Sequence, residues 1–305
     1  MKVTIVGPEA EVRLDWLALT DALEAGHRLA RAEIGDTFLY RRDDTALSRS
    51  AWIDGMGLLV KTATIFPGNA ARGAPTINGG VSLYSDADGG LEAILDFHLV
   101  TKWKTAGDSL LAARKLARPD SGTILIVGAG TVARSLREAY GAAFPQARFV
   151  VWNRTRASAE RLAAEFEGME VATDLGAAVG AADIVTCATM STDPVLRGEW
   201  LKPGTHVDLI GAYRPDMREA DDDVLRRGRL FVDARHTTVG HIGEVQIPLE
   251  AGTIRKDDIL ADFYDLPDGR FARRSADEIT VFKNGGGAHL DLMCARHILK
   301  VVAGA

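Results

Sequence analysis

Apolar positions recur along the first hundred residues with two different periods. Between Thr20 and Arg31 they fall at helical spacing, whereas Thr76 to Tyr84 and Leu91 to Phe97 are apolar-rich runs that read as strands. The stretch between those runs, Ser85 to Gly90, contains an Asp-Gly pair suited to the positive φ of a tight turn, so a hairpin in a small sheet is expected. From Val100 to Ala117, apolar Trp103, Ala106, Leu110, Ala113 and Ala117 return every three or four positions, which predicts a helix that Pro119 closes.

Beyond Gly122 the pattern changes. Thr123 to Val127, Phe149 to Trp152, Ile184 to Ala188 and His206 to Ile210 are short apolar runs, and helical segments reaching Phe144 and Glu167 follow the first two. Strand and helix in alternation imply a parallel sheet covered on both faces, an α/β fold of the Rossmann-type, doubly wound kind. Ile279 to Phe282 reads as a further strand and Gly286 to Val302 as a terminal helix. The domain boundary is expected at Pro119 to Gly122.

A length of 305 residues suits two domains, and 47% hydrophobic with 26% charged residues is ordinary for a globular chain. The net charge of -6 offers nucleic acid no electrostatic attraction. No run approaches the roughly 20 apolar residues of a membrane span, and Met1 to Pro8 lacks the basic flank and apolar core of a leader, so a cytoplasmic protein without membrane contact is expected. Cys187 and Cys294 lie far apart, and His236 and His241 lack partners at ligand spacing, so neither a disulfide nor a metal site is expected.

Candidate chemistry starts at Thr123-Ile-Leu-Ile-Val127, a buried-strand run followed at once by Gly128-Ala-Gly130-Thr131-Val132-Ala133 and a helical pattern. In that context Gly128 permits a tight turn, Gly130 lets the backbone approach a pyrophosphate, and Ala133 allows close packing of helix on strand. Twenty positions beyond Ala133, where NAD-specific domains keep an acid for the ribose 2′-hydroxyl, stand Asn153, Arg154 and Thr155. Arg154 suits a 2′-phosphate, so NADP(H) is preferred and NAD(H) remains possible; the other reading makes Arg154 the solvated start of a helix.

In the first domain, Lys61 interrupts the apolar run Leu58 to Ile65, and burying an ammonium is costly unless an anion meets it. Lys104, with Thr105, is expected in the first turn of the helix after the hairpin, where N–H groups favour anions. The two lysines could converge on one ligand carboxylate; an edge strand for Lys61 and a solvated face for Lys104 are the alternatives.

Taken together, Lys61 to Asn69, Pro75 to Gly79, Thr101 to Ala106, Gly128 to Ala133, Trp152 to Thr155, Gly211 to Glu219, and Phe282 through Asp291 resemble the ornithine cyclodeaminase and mu-crystallin family, in its order and over most of the chain. The resemblance implies a homodimer. Residues 1–119 with 286–305 would form an α+β domain for dimerisation and substrate, and 120–285 the dinucleotide domain. It assigns Lys61 and Lys104 to the substrate carboxylate, with Arg41 or Arg42 as a third cation. Thr76, Thr131, Val132, Asn153, Thr189, Leu209, Ile210, neighbouring Gly211, and Asn284 would line the dinucleotide.

Two departures bear on activity. Lys104 stands where the family usually has arginine, and Tyr213 where cyclodeaminases carry a catalytic aspartate. The expected activity is therefore reduction of a cyclic or open ketimine bearing a carboxylate, with Tyr213 as a proton relay or as packing. A lyase using Asp208 or Asp216, an amino-acid dehydrogenase and a non-catalytic binder of NADPH and ligand are the alternatives.

Overall fold

The structure, a computed structural model, describes residues 3–304. These form two compact units, one holding the chain up to Thr105 and again from Gly287, the other Ala106–Gly286.

The first unit opens with β1 (Thr4–Val6) and α1 (Trp16–Gly26), followed by β2 (Glu33–Arg41), β3 (Asp44–Ile53), β4 (Gly57–Ile65), β5 (Ile77–Tyr84), β6 (Leu91–Asp96) and α2 (Phe97–Leu116). The six strands lie in the order β1-β6-β5-β4-β3-β2, antiparallel except for β1 against β6. The expected hairpin is β5 and β6. The expected first helix starts earlier and stops sooner than Thr20 to Arg31, because the Asp15 carboxylate accepts from Ala18 N at 2.8 Å and caps it. The β2–β3 hairpin was not legible: nearly all of β2 is exposed, so no inward and outward alternation marks it.

Helix α2 likewise starts three residues before Val100. The Asp96 carboxylate accepts from Leu99 N at 2.7 Å, which starts the helix at Phe97. Lys104 therefore sits about two turns in, not in the first turn, and the argument from free N–H groups does not apply to it.

The second unit contains β7 (Thr123–Val127), α3 (Thr131–Ala143), β8 (Arg148–Trp152), α4 (Arg156–Ala163), β9 (Glu170–Val171), α5 (Leu175–Ala181), β10 (Ile184–Cys187), β11 (His206–Leu209), α6 (Asp222–Arg227), β12 (Gly228–Val232), α7 (Arg235–Thr238), α8 (Gly243–Glu250), β13 (Ile259–Ala261) and β14 (Ile279–Lys283). All eight strands are parallel, in the order β13-β12-β14-β11-β10-β7-β8-β9. From β7 the chain proceeds through β8 and β9 to one side, then returns to β10 and β11 on the other. That reversal is a topological switch point, and ligands of such sheets bind outside the carboxyl ends of the strands there.

The last helix, α9 (Ala288–Ala303), rejoins the first unit, packing on β3 and β4 and against α1. The division between units falls inside α2, between Thr105 and Ala106, and not at 119/120, because the second half of that helix is tied into the second unit: Leu116 O accepts from Thr280 Oγ1 at 3.1 Å and from Arg273 Nε at 2.6 Å. Among the described residues no helix is long and apolar enough to cross a membrane.

Candidate active site

At the switch point, Gly128 follows β7 with φ of 114°, and its N–H donates to Trp152 O at 2.8 Å. A Cβ there would lie 2.6 Å from Ala188 O, so only glycine serves. Gly130 begins α3 without a side-chain cap, and the space a Cβ would take is empty. Thr131 is exposed, Val132 half-buried and Ala133 fully buried. Uncapped N–H groups over open space suit a pyrophosphate.

At the end of β8, the Asn153 side chain donates to Thr155 O at 2.9 Å. Arg154 and Thr155 are exposed, while the next arginine, Arg156, is taken by Glu160 at 2.7 Å. Thr189 follows β10, Leu209 ends β11 with Ile210 and Gly211 behind it, and Asn284 follows β14. These residues all gather at the carboxyl ends of parallel strands. Thr76 belongs to the other unit, just before β5, where its carbonyl accepts from Phe66 N at 2.7 Å.

The second unit also buries acids that the sequence did not flag as a group. Asp208 accepts from Ser109 Oγ at 3.0 Å, Tyr140 Oη at 3.1 Å and Thr186 Oγ1 at 2.6 Å, and burial pushes its carboxyl up to about 6. Asn284 Nδ2 donates to the same Ser109 Oγ at 3.0 Å, so Asp208 holds Asn284 through one hydroxyl. Glu219 and Glu244 are fully buried beyond β11, with Lys283 as the cation acting on both.

In the first unit, Lys61 lies on the inward face of β4, 5% exposed, its Nζ 2.8 Å from Asp291 Oδ1 and 4.8 Å from the centre of the Phe97 ring. Register places Arg49 of β3 directly opposite Lys61. Arg49 reaches Asp36 at 2.9 Å, and Lys104 is 7% exposed. Burial lowers the Lys61 ammonium from the ordinary lysine range, Asp291 opposes this, and the like charges of Lys104 and Arg49 add to it. Burial works against the Asp291 charge too, but Lys61, Lys104 and Arg49 together overcome it and hold the carboxyl below its usual range.

The structure thus brings Lys61 and Lys104 into one electrostatic cluster and adds Arg49 and Asp291. It does not bring Arg41 there. Arg41 ends β2 beside the hairpin tip, paired with Asp44 at 2.9 Å, and Arg42 forms the tip with φ of 57°. Tyr213 is 59% exposed, and Asp216 is exposed and paired with Arg214 at 2.8 Å.

An all-parallel sheet with a glycine turn at its switch point, joined to a sheet unit that gathers cations around a buried acid, defines a Rossmann-type dinucleotide-binding chain with a second, α+β unit. More narrowly, the chain belongs to the ornithine cyclodeaminase/mu-crystallin family, whose profile matches residues 52–304. It is 53% identical over 302 residues to a Delta(1)-pyrroline-2-carboxylate reductase of Paracoccus denitrificans, covering 97% of this chain and 96% of that one. It is 35% identical to the ketimine reductase mu-crystallin of Mus musculus, over 78% of this chain and 74% of the relative. Among solved structures, an archaeal alanine dehydrogenase dimer with bound NAD aligns with a TM-score of 0.90 and 25% identity, over 100% of this chain and 97% of the other.

Proposed function

We propose that this chain is an NAD(P)H-dependent reductase of small ketimines that carry a carboxylate beside the C=N carbon, with a five-membered cyclic imino acid as the first substrate to try. The observation that carries the reading is the cluster in the first unit. Lys61, Lys104 and Arg49 gather around the buried Asp291, a concentration of cations that suits a small carboxylate. The names of the two relatives, a pyrroline-2-carboxylate reductase and a ketimine reductase, support the same class of substrate.

Gly128, Gly130 and the first turn of α3 would hold the pyrophosphate, and Thr189, Ile210, Gly211 and Asn284 the remainder. Bound there, the nicotinamide supplies a hydride for the imine carbon. Lys61 and Lys104 orient the substrate through its carboxylate, and orientation is the larger part of such catalysis. The imine nitrogen needs a proton as its carbon accepts hydride. Burial makes the Lys61 ammonium a stronger acid than a free lysine, which suits it to give that proton, while Tyr213 is exposed. The reading includes a preference for NADPH through exposed Arg154, a homodimer, and a cytoplasmic setting consistent with two separate, buried, free thiols.

None of the three described residues weighed for the lyase favours it. Tyr213 stands in place of the carboxylate, Asp216 is engaged with Arg214, and both Asp208 oxygens are occupied by hydroxyls. Incubating the protein with a cyclic imino acid and either NADPH or NADH should give substrate-dependent loss of reduced cofactor, faster with NADPH. Ammonia release from ornithine without net cofactor change would replace this reading with the lyase, and inertness in both assays would leave a binder.

A further inference from the structure

Glu219 is fully buried between the loop that begins at Tyr213 and α6. Its Oε1 accepts from Thr189 N at 2.7 Å and from Thr189 Oγ1 at 2.8 Å; its Oε2 accepts from Gly211 N at 2.6 Å and Ala212 N at 3.3 Å. One carboxylate therefore ties the turn that leaves β10 to the turn that leaves β11. Glu219 is itself held from behind. Its N–H donates to Glu244 Oε2 at 2.6 Å, Ala220 N donates to Glu244 Oε1 at 3.0 Å, and its carbonyl accepts from Val195 and Leu196 N at 2.8 and 2.9 Å.

Space is tight around this buckle. A Cβ on Gly211 would collide with the Thr189 backbone and lie 2.6 Å from Glu219 Oε1. Two buried carboxylates are a costly way to fill a core, and apolar side chains would fill it more stably. What a carboxylate alone provides is four acceptor positions for four donors that lie past the ends of β10 and β11, of which Gly211 N is shared with the carbonyl of Cys187 at 3.2 Å. A glutamine could not do this, because its NH2 would face N–H donors on one side.

We propose that Glu219, backed by Glu244, is a positioning residue for the nicotinamide end of the dinucleotide: it fixes the two turns, at Thr189 and at Gly211–Ala212, that frame that end. The inference rests on the reading that the second unit binds a nicotinamide dinucleotide. The Gly128 turn and the end of β8 account for the pyrophosphate and the adenosine ribose. Dinucleotides cross the switch point from one half of the sheet to the other, so the ends of β10 and β11 fall to the nicotinamide half.

The test compares two ligands on the full-length protein by calorimetry: NADPH, and 2′-phospho-ADP-ribose, which lacks the nicotinamide ring. In Glu219→Gln, NADPH binding should weaken roughly tenfold or more, as expected when buried donors lose their acceptor, and kcat should fall. Binding of 2′-phospho-ADP-ribose should stay within about twofold, a split that general loosening of the fold would not produce. Equal weakening of both ligands, or of neither, overturns the proposal. If Glu219→Gln does not fold, Glu244→Gln, which removes only the support beneath Glu219, should show the same split more mildly, and its absence there overturns the proposal equally. A wild-type protein that binds neither ligand overturns the dinucleotide reading itself, whereas wild-type binding with an indifferent Glu219→Gln overturns only the role of Glu219.

Discussion

At the scale of single residues, the cation cluster depends on Asp291. Lys61 was legible in the sequence because a lysine inside an apolar run needs an anion, whereas Lys104 was singled out by a first-turn position that it does not hold and by the family resemblance. Arg49 and Asp291 were not: Arg49 sits among polar Ser48 and Ser50, and Asp291 is an ordinary acid in a helix. Only the β3–β4 register and the return of α9 place them beside Lys61. The sign of the Asp291 effect is fixed by the charges. Its carboxylate raises the Lys61 pKa against burial, so Asp291→Asn lowers that pKa further and the ammonium is lost at a lower pH. The alkaline limb of kcat/KM for imine reduction should move down by roughly 1 to 2 pH units, the usual effect of an opposite charge at contact distance. Leaving buried cations without their carboxylate should also cost about 3 kcal/mol of stability, measurable by denaturant titration. An unshifted pH profile would show that Lys61 is not the group that titrates.

At the scale of elements, the strand, glycine turn and helix from β7 to α3 were readable in full, because three different signals agree within a dozen residues. The starts of α1 and α2 were misjudged for a common reason. Each is set by one aspartate cap, Asp15 or Asp96, and apolar spacing carries no trace of a cap. The turn itself allows folding and binding to be separated. Gly128→Ala forces a Cβ toward Ala188 O at a φ that L residues rarely adopt, so melting should fall by several degrees. Gly130→Ala adds its methyl to open space at an ordinary φ of -92°, so melting should hold. That methyl would occupy the side from which a pyrophosphate approaches, and dinucleotide affinity should fall about tenfold or more by calorimetry. Undiminished affinity in Gly130→Ala would place the phosphates elsewhere.

At the scale of the whole molecule, alternation alone announced an α/β sheet. The first unit was harder to read, since it is completed by a helix from the far end of the chain and shares α2 with the second. Its least legible part, β2, carries the strongest indication of a partner. Strand β2 is the edge of its sheet, and near its tip Phe38, Leu39 and Tyr40 are 49%, 68% and 74% exposed. Successive strand residues point to opposite faces, so the apolar end of β2 is bare on both sides. An uncovered apolar edge strand is an aggregation hazard that soluble proteins avoid or cover. A second copy of this chain, the homodimer proposed above, is the occupant this edge suits. Sedimentation equilibrium should give twice the chain mass at micromolar concentration, and Leu39→Asp with Tyr40→Asp should halve it, since two charges cannot be buried in an apolar interface without partners. Both residues lie well along the strand from the level of Lys61, so a variant that stays dimeric would move the interface off β2 without disturbing the site.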